Sequence, residues 1–180
     1  GDLAEVKAIL VENPEAANAS PDASMPPLSM AILRQKTAIA KLLVEQGANI
    51  GATDSSQRTP LHLAVERNLE EIVSLLVESG ADLRLRDKAG WTPFHLAASK
   101  DRVEIMKILL AASEPPLPRS ECGATPLHNA AFNGSAEMIR LLLDFGVDAS
   151  VKTKEGETAL AIAIANENKA AIGQLKDASP

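Results

Sequence analysis

Tyrosine is absent from this chain of 180 residues, and aromatic residues together make up 2% of it. The few that are present stand out by position: Trp91, Phe94, Phe132 and Phe145. Cysteine is nearly as scarce. Cys122 alone rules out an internal disulfide framework and suits a reducing, intracellular compartment, cytoplasmic or nuclear. The sequons at Asn18 and Asn133 would matter only in a secreted chain and read as chance. No apolar run reaches membrane-spanning length and no secretory leader is visible, so membrane insertion is not expected. Phosphate-cradling glycine loops and clusters with metal-ligand spacing are missing too, so neither cofactor nor metal is expected. Cys122 lies beside Glu121 with no histidine at nucleophile spacing. Asp54, Asp87, Glu70, Glu71, Glu155 and Glu157 read as turn formers and solvated faces. With no nucleophile, base and orienting group to name together, the chain is not read as an enzyme.

What is there instead is a phrase that returns at a fixed interval. Thr59-Pro60-Leu61-His62 recurs as Thr92-Pro93-Phe94-His95 and Thr125-Pro126-Leu127-His128, then as a decayed Thr158-Ala159-Leu160-Ala161. A weaker copy, Pro26-Pro27-Leu28-Ser29, lies one interval earlier. A constant period of this size means small units stacked in series. Within a unit, Thr59 suits a helix N-cap and Pro60 the first helical position, where no amide hydrogen is needed. Leu61, Leu63, Ala64 and Val65 make a short apolar helix. A second helix follows with Ile72, Val73, Leu75 and Leu76 at helical spacing, and Gly80 stops it as Gly47 and Gly146 stop theirs. The segment onward to the next threonine is expected to project as a finger tipped by a β-turn.

From Asp54 to Ala81 this unit resembles the ankyrin repeat throughout, and Asp87 to Ala112 and Gly123 to Val147 follow almost as well. The resemblance implies an all-α solenoid of stacked helix-turn-helix units with β-turn fingers. It covers nearly the whole chain as one domain, 1–180, with a partial unit at 1–25 and units starting near 26, 59, 92 and 125. Residues 158–180 read as a C-terminal cap, because Thr158 loses its proline and histidine and the chain turns polar at Asn166-Glu167-Asn168-Lys169. At the other end Leu3, Val6, Ile9 and Leu10 lack half their cover. That suggests a fragment of a longer chain, with an incomplete but tolerated capping helix as the alternative. The resemblance also gives His62, His95 and His128 a structural role, bonding backbone and organising the turn between fingers. Units about a helix-packing distance apart (~10 Å) would hold these rings too far from one another for shared metal ligation. Prolines 115, 116 and 118 replace the usual glycine stop and are expected to end the helix before them and stiffen the next finger.

Resemblance to this family places a partner across finger tips and the exposed side of each first helix. By register from the threonine, those positions hold nine basic residues: Arg34, Arg58, Arg67, Arg86, Lys88, Lys100, Arg119, Lys152 and Lys154. Against them stand five acids, Asp22, Glu66, Glu121, Glu155 and Glu157, on a chain of net charge −6. The expected face is therefore basic on an acidic protein, and it includes Trp91 and Phe132, of the residue types enriched at binding hot spots. The candidate partner-binding residues are Arg58, Arg67, Lys88, Trp91, Lys100, Asn129 and Phe132. Trp91 is the expected apolar anchor and Phe132 its second contact, with Arg58, Arg67 and Lys100 as donors to carboxylates. Asn129, where the repeat usually carries an apolar residue, either opens onto the groove or needs a buried partner. A tryptophan in a finger also packs over the neighbouring finger, and lysines line solvated helices, so the set has a plain structural reading as well. The expected function is a monomeric protein-interaction module or adaptor for an acidic or mixed peptide or a folded partner. Nucleic-acid binding through the same groove is the alternative, opposed by a pI near 5.1. Intramolecular regulation within a larger protein is a third.

Overall fold

The structure, a computed structural model, describes residues 2–20 and 25–178. Asp22 of the basic-face set lies outside the described residues, as does the rest of 21–24. The fold is all-α, with helices arranged in two compact units, residues 1–82 and 83–180. Among the described residues the only β-pairing is an isolated bridge between Lys152 and Thr158.

The first unit holds α1 (Leu3–Glu12), a 3-10 turn at Pro14–Ala17, α2 (Pro27–Leu33), α3 (Thr37–Glu45), α4 (Pro60–Glu66) and α5 (Glu70–Glu78). The second holds α6 (Pro93–Ser99), α7 (Val103–Ala111), α8 (Pro126–Asn133), α9 (Ala136–Asp144), α10 (Ala159–Ala165) and α11 (Lys169–Asp177). Helices of seven to ten residues are too short to persist alone in water, so packing must hold them. In the first unit α2 packs on α4, α3 on α5, and each helix on its own pair mate. In the second, α6, α8 and α10 form one row and α7, α9 and α11 the other. Leu61, Ile72 and Leu76 are fully buried in the first unit, and Phe94, Ile105, Leu127, Met138 and Leu142 in the second. Alanines fully buried in the row of first helices, Ala97, Ala130 and Ala163, let those helices approach closely. On α1 only Leu10 is buried, while Leu3 and Ile9 are more than two-fifths exposed.

Four fingers among the described residues are small hairpins with the same bonds. In the second, the Asp87 amide donates to the Trp91 carbonyl (2.9 Å) and Gly90 donates back to Asp87 (2.9 Å). The set repeats at Asp54 with Arg58, Ser120 with Ala124, and Thr153 with Glu157. A side-chain oxygen closes the base: Asp87 Oδ1 accepts from the amides of Ala89 and Trp91, both 2.9 Å, and Ser120 and Thr153 hydroxyls accept equivalently from Ala124 and Glu157. The fourth finger residue must turn left-handed. Gly90, Gly123 and Gly156 do so at φ 76°, 80° and 86°, but the first of these fingers uses Gln57, at φ 59°. A side chain in that region costs about 1–2 kcal/mol, partly offset by the entropy glycine loses on folding. Gln57→Gly is therefore expected to stabilise the first unit by about 0.5–1 kcal/mol, read as a higher urea midpoint. A lower midpoint would show that the exposed Gln57 side chain contributes more than its backbone strain.

The helix stop lies ahead of the first proline. Helix α7 ends at Ala111, with Ser113 donating to the Leu110 carbonyl (3.1 Å), before the chain reaches Pro115. A residue ahead of proline is pushed out of the helical region, so the backbone has already left the helix by Glu114.

Candidate functional site

The finger tips and the first helices are tied together by the repeated threonine and histidine. Thr92 starts α6 from an extended backbone, and its amide donates to His95 Nδ1 (3.3 Å) while its hydroxyl lies 2.9 Å from the same nitrogen. An N–H can only donate, so Nδ1 is the acceptor and the proton sits on Nε2. That Nε2–H donates to the Ala124 carbonyl (3.1 Å) at the base of the following finger. His128 repeats the device, with Nδ1 facing Thr125 and Nε2 between the carbonyls of Val151 (3.1 Å) and Glu157 (3.3 Å). Burial pushes the His95 imidazole down to about 4 from its ordinary 6.5, against the pull of its Ala124 bond. Burial lowers His128 as well, against its two carbonyl partners. Both rings are uncharged clamps near neutral pH, and each fixes the finger of the next repeat.

Those two clamped fingers wall a pocket of about 410 Å³ in the second unit. Trp91 contributes from its own finger, Ser99 from α6, Asn129 and Phe132 from α8, and Ile162 from α10. Cys122 and Ala124 come from the finger held by His95; Thr153, Glu155 and Glu157 come from the finger held by His128. Phe132 is 58% exposed, a large apolar surface with no cover. Asn129 is half-buried, and its Oδ1 is shut from solvent without a hydrogen-bond partner. Leaving such an acceptor unmet costs about 1–3 kcal/mol.

Of the seven candidate residues, the structure gathers three around this pocket: Trp91, Asn129 and Phe132. The basic four lie elsewhere. Arg58 is in the first unit, where its Nε donates to Asp54 Oδ2 (2.9 Å) and its Nη1 to Glu66 Oε2 (2.9 Å). Burial alone would raise the Asp54 carboxyl, but the Arg58 amide and guanidinium and the Ser56 amide outweigh it and hold it below the ordinary 3.8. Arg58 is thus already occupied by carboxylates of its own repeat. Arg67 caps α4 in the open, also in the first unit, and Lys88 and Lys100 are exposed in the second without lining the pocket. The two charged side chains that do line it are Glu155 and Glu157, read from the sequence as solvated. The signal that could have found them is the period itself, which sets them on the finger after the one bearing Cys122.

Family models described as ankyrin repeats match residues 1–87 and 28–116 (three copies) and 111–163 (many copies). The chain belongs to the ankyrin repeat family. A search of curated proteins finds no match to it. Ankyrin repeats are generally protein–protein interaction modules and typically non-catalytic. In this ankyrin protein no helix of the described residues is long and apolar enough to cross a membrane. Among the described residues, no three His, Cys, Asp or Glu side chains gather where they could hold a metal ion.

Proposed function

We propose that the chain is a protein-binding module that takes a segment of its partner into the pocket of the second unit, with Trp91 and Phe132 as apolar contacts. The exposed Phe132 ring beside the orphaned Asn129 oxygen is the observation that carries this reading. Aromatic side chains are enriched among the residues that dominate binding energy. The histidine clamps fix both flanking fingers beforehand, so little ordering entropy is lost when a partner docks. Protein is favoured over nucleic acid because the charged groups lining the pocket are carboxylates, which repel phosphates.

The single cysteine makes a direct test. Cys122 lines the pocket and is exposed, so a photo-crosslinker attached there samples what docks beside Trp91. The expected result is a discrete crosslinked partner, reduced at least about tenfold by Phe132→Ala, a change at an exposed site that leaves folding nearly untouched. Equal crosslinking of parent and variant would move the binding surface off this pocket.

A further inference from the structure

The inventory of the pocket specifies the kind of group it receives, given that it is a binding site as proposed above. Its charged lining consists of Glu155 and Glu157, and a carboxylate can only accept hydrogen bonds. Asn129 adds a buried amide oxygen with no hydrogen-bond partner. The hydroxyls of Ser99 and Thr153 and the Asn129 amide are neutral donors, but the lining carries no cation. His128 also lines the pocket, but both its ring nitrogens are already engaged, one by Thr125 and the other by the carbonyls of Val151 and Glu157. No lysine or arginine lines it; Lys100 follows Ser99 in the chain and Lys154 precedes Glu155, yet neither belongs to its wall. Trp91 and Phe132 supply the apolar remainder, with Ile162.

A wall whose only charged residues are carboxylates, set among aromatic faces, calls for a cation with an apolar stem. We infer that the pocket receives an arginine side chain of the partner polypeptide, its guanidinium against the Trp91 or Phe132 ring and its donors on the Glu155 and Glu157 carboxylates. Arginine meets the inventory better than lysine. Its planar fork stacks on an aromatic ring while offering five donors in fixed directions, whereas an ammonium is a compact, strongly hydrated point charge. An acidic side chain would be set beside two carboxylates and rejected. A cavity of about 410 Å³ lies in the range of small-ligand sites and has room for one long side chain and the backbone that carries it. The partner is thus a basic segment. That differs from the acidic or mixed segment expected from counting lysines and arginines along the fingers.

Trp91 is the chain's only tryptophan, so its emission reports occupancy of this pocket. The probes are four acetylated and amidated pentapeptides, Gly-Ala-Xaa-Ala-Gly, in which Xaa is arginine, lysine, norleucine or glutamate. The arginine peptide is expected to shift Trp91 emission with a Kd at least about tenfold below the norleucine peptide and severalfold below the lysine peptide. The glutamate peptide should give no response. Glu155→Gln with Glu157→Gln, both exposed, should abolish the preference for arginine over norleucine while leaving the melting curve in place. Equal binding of norleucine and arginine, preference for glutamate, or no response to any peptide overturns the inference. The pocket itself survives those results if crosslinking from Cys122 still depends on Phe132, and falls with them if it does not.

Discussion

Lowering the pH from 7 to 4 is expected to cost the second unit about 3 kcal/mol through one imidazole, that of His95. The ring is fully buried, and its neutral form is bonded at both nitrogens. Protonating Nδ1 would set a donor against the Thr92 amide, which can only donate. The folded state therefore binds that proton only near pH 4, while the unfolded chain takes it up near 6.5. Below 6.5 the unfolded state holds more protons, so stability falls with pH until the folded ring also titrates. The loss is confined to the window from 6.5 to 4, and its size follows from the gap between the two values, at about 1.4 kcal/mol for each pH unit. His128 is shifted the same way and adds to the slope. Asp54 lies in the first unit with a lowered carboxyl, so its contribution is lost only as pH falls through the acid range below about 4.

The measurement is urea unfolding from pH 7.5 to 4, comparing the parent with His95→Gln. Glutamine keeps an amide donor near the Ala124 carbonyl and cannot titrate. It is expected to lower stability at pH 7 by about 1–3 kcal/mol while flattening the descent toward pH 4. Identical slopes in both proteins would show that His95 is not the titrating group. Because His95 holds the finger bearing Cys122 and Ala124, the same descent should loosen the pocket before the helices melt, and emission from Trp91 should move first.

Much of this architecture could be read from the phrase Thr-Pro-Leu-His, because the chemistry it encodes is local. A capping threonine, a proline in the first turn and a histidine three residues after the threonine decide one helix start and one hydrogen-bonded turn. Helices α4, α6 and α8 accordingly begin at Pro60, Pro93 and Pro126. The ring's second bond, to a carbonyl 29 residues onward in the case of His95, comes from the resemblance to a known family rather than from the phrase. The electrostatics of the site resisted sequence reading for a different reason. Counting Arg58 as free ignores Asp54 of its own finger and Glu66 at the end of α4, which only the folded repeat brings against it. Glu155 and Glu157 are exposed, as read from the sequence, but their finger folds against α8, so they also line the pocket. Charge along a sequence is additive, but charge at a pocket depends on which side chains are already paired and which line the wall. Trp91 and Phe132 both line the pocket, and an aromatic side chain is not neutralised by a neighbour.

Gly134 is where that wall is anchored, and replacing it with alanine is expected to destabilise the protein by about 2–3 kcal/mol. Elsewhere the turn between paired helices is made by a left-handed residue: Gln35 (φ 54°), Asn68 (φ 57°), Asp101 (φ 52°) and Glu167 (φ 54°). After α8 the chain does otherwise. The helix runs to Asn133, Gly134 takes an extended φ of −72°, and its amide reaches back to the Ala130 carbonyl. Any residue tolerates that φ, so the objection to a side chain is space. A Cβ on Gly134 would lie 2.6 Å from the Ala130 oxygen and 3.0 Å from the Ala130 Cα, both backbone atoms of α8 that no rotamer can move aside. The backbone must shift, and the junction has no slack. The Ser135 amide and hydroxyl both donate to Asp101 Oδ1 (2.9 Å each), and Asn168 donates to the carbonyls of Ala131 (3.3 Å) and Gly134 (3.0 Å). A shift large enough to clear the clash lengthens these bonds and displaces the end of α8 that carries Asn129 and Phe132. Gly173, inside α11, is the contrast: a Cβ there meets nothing within 4 Å. Gly173→Ala should raise stability by about 0.5–1 kcal/mol, the ordinary gain from alanine in a helix interior. Urea unfolding of the two variants separates the causes. Opposite signs place the cost in the contact with Ala130, whereas equal small gains would mean that the junction yields and the pocket wall is softer than its hydrogen bonds imply.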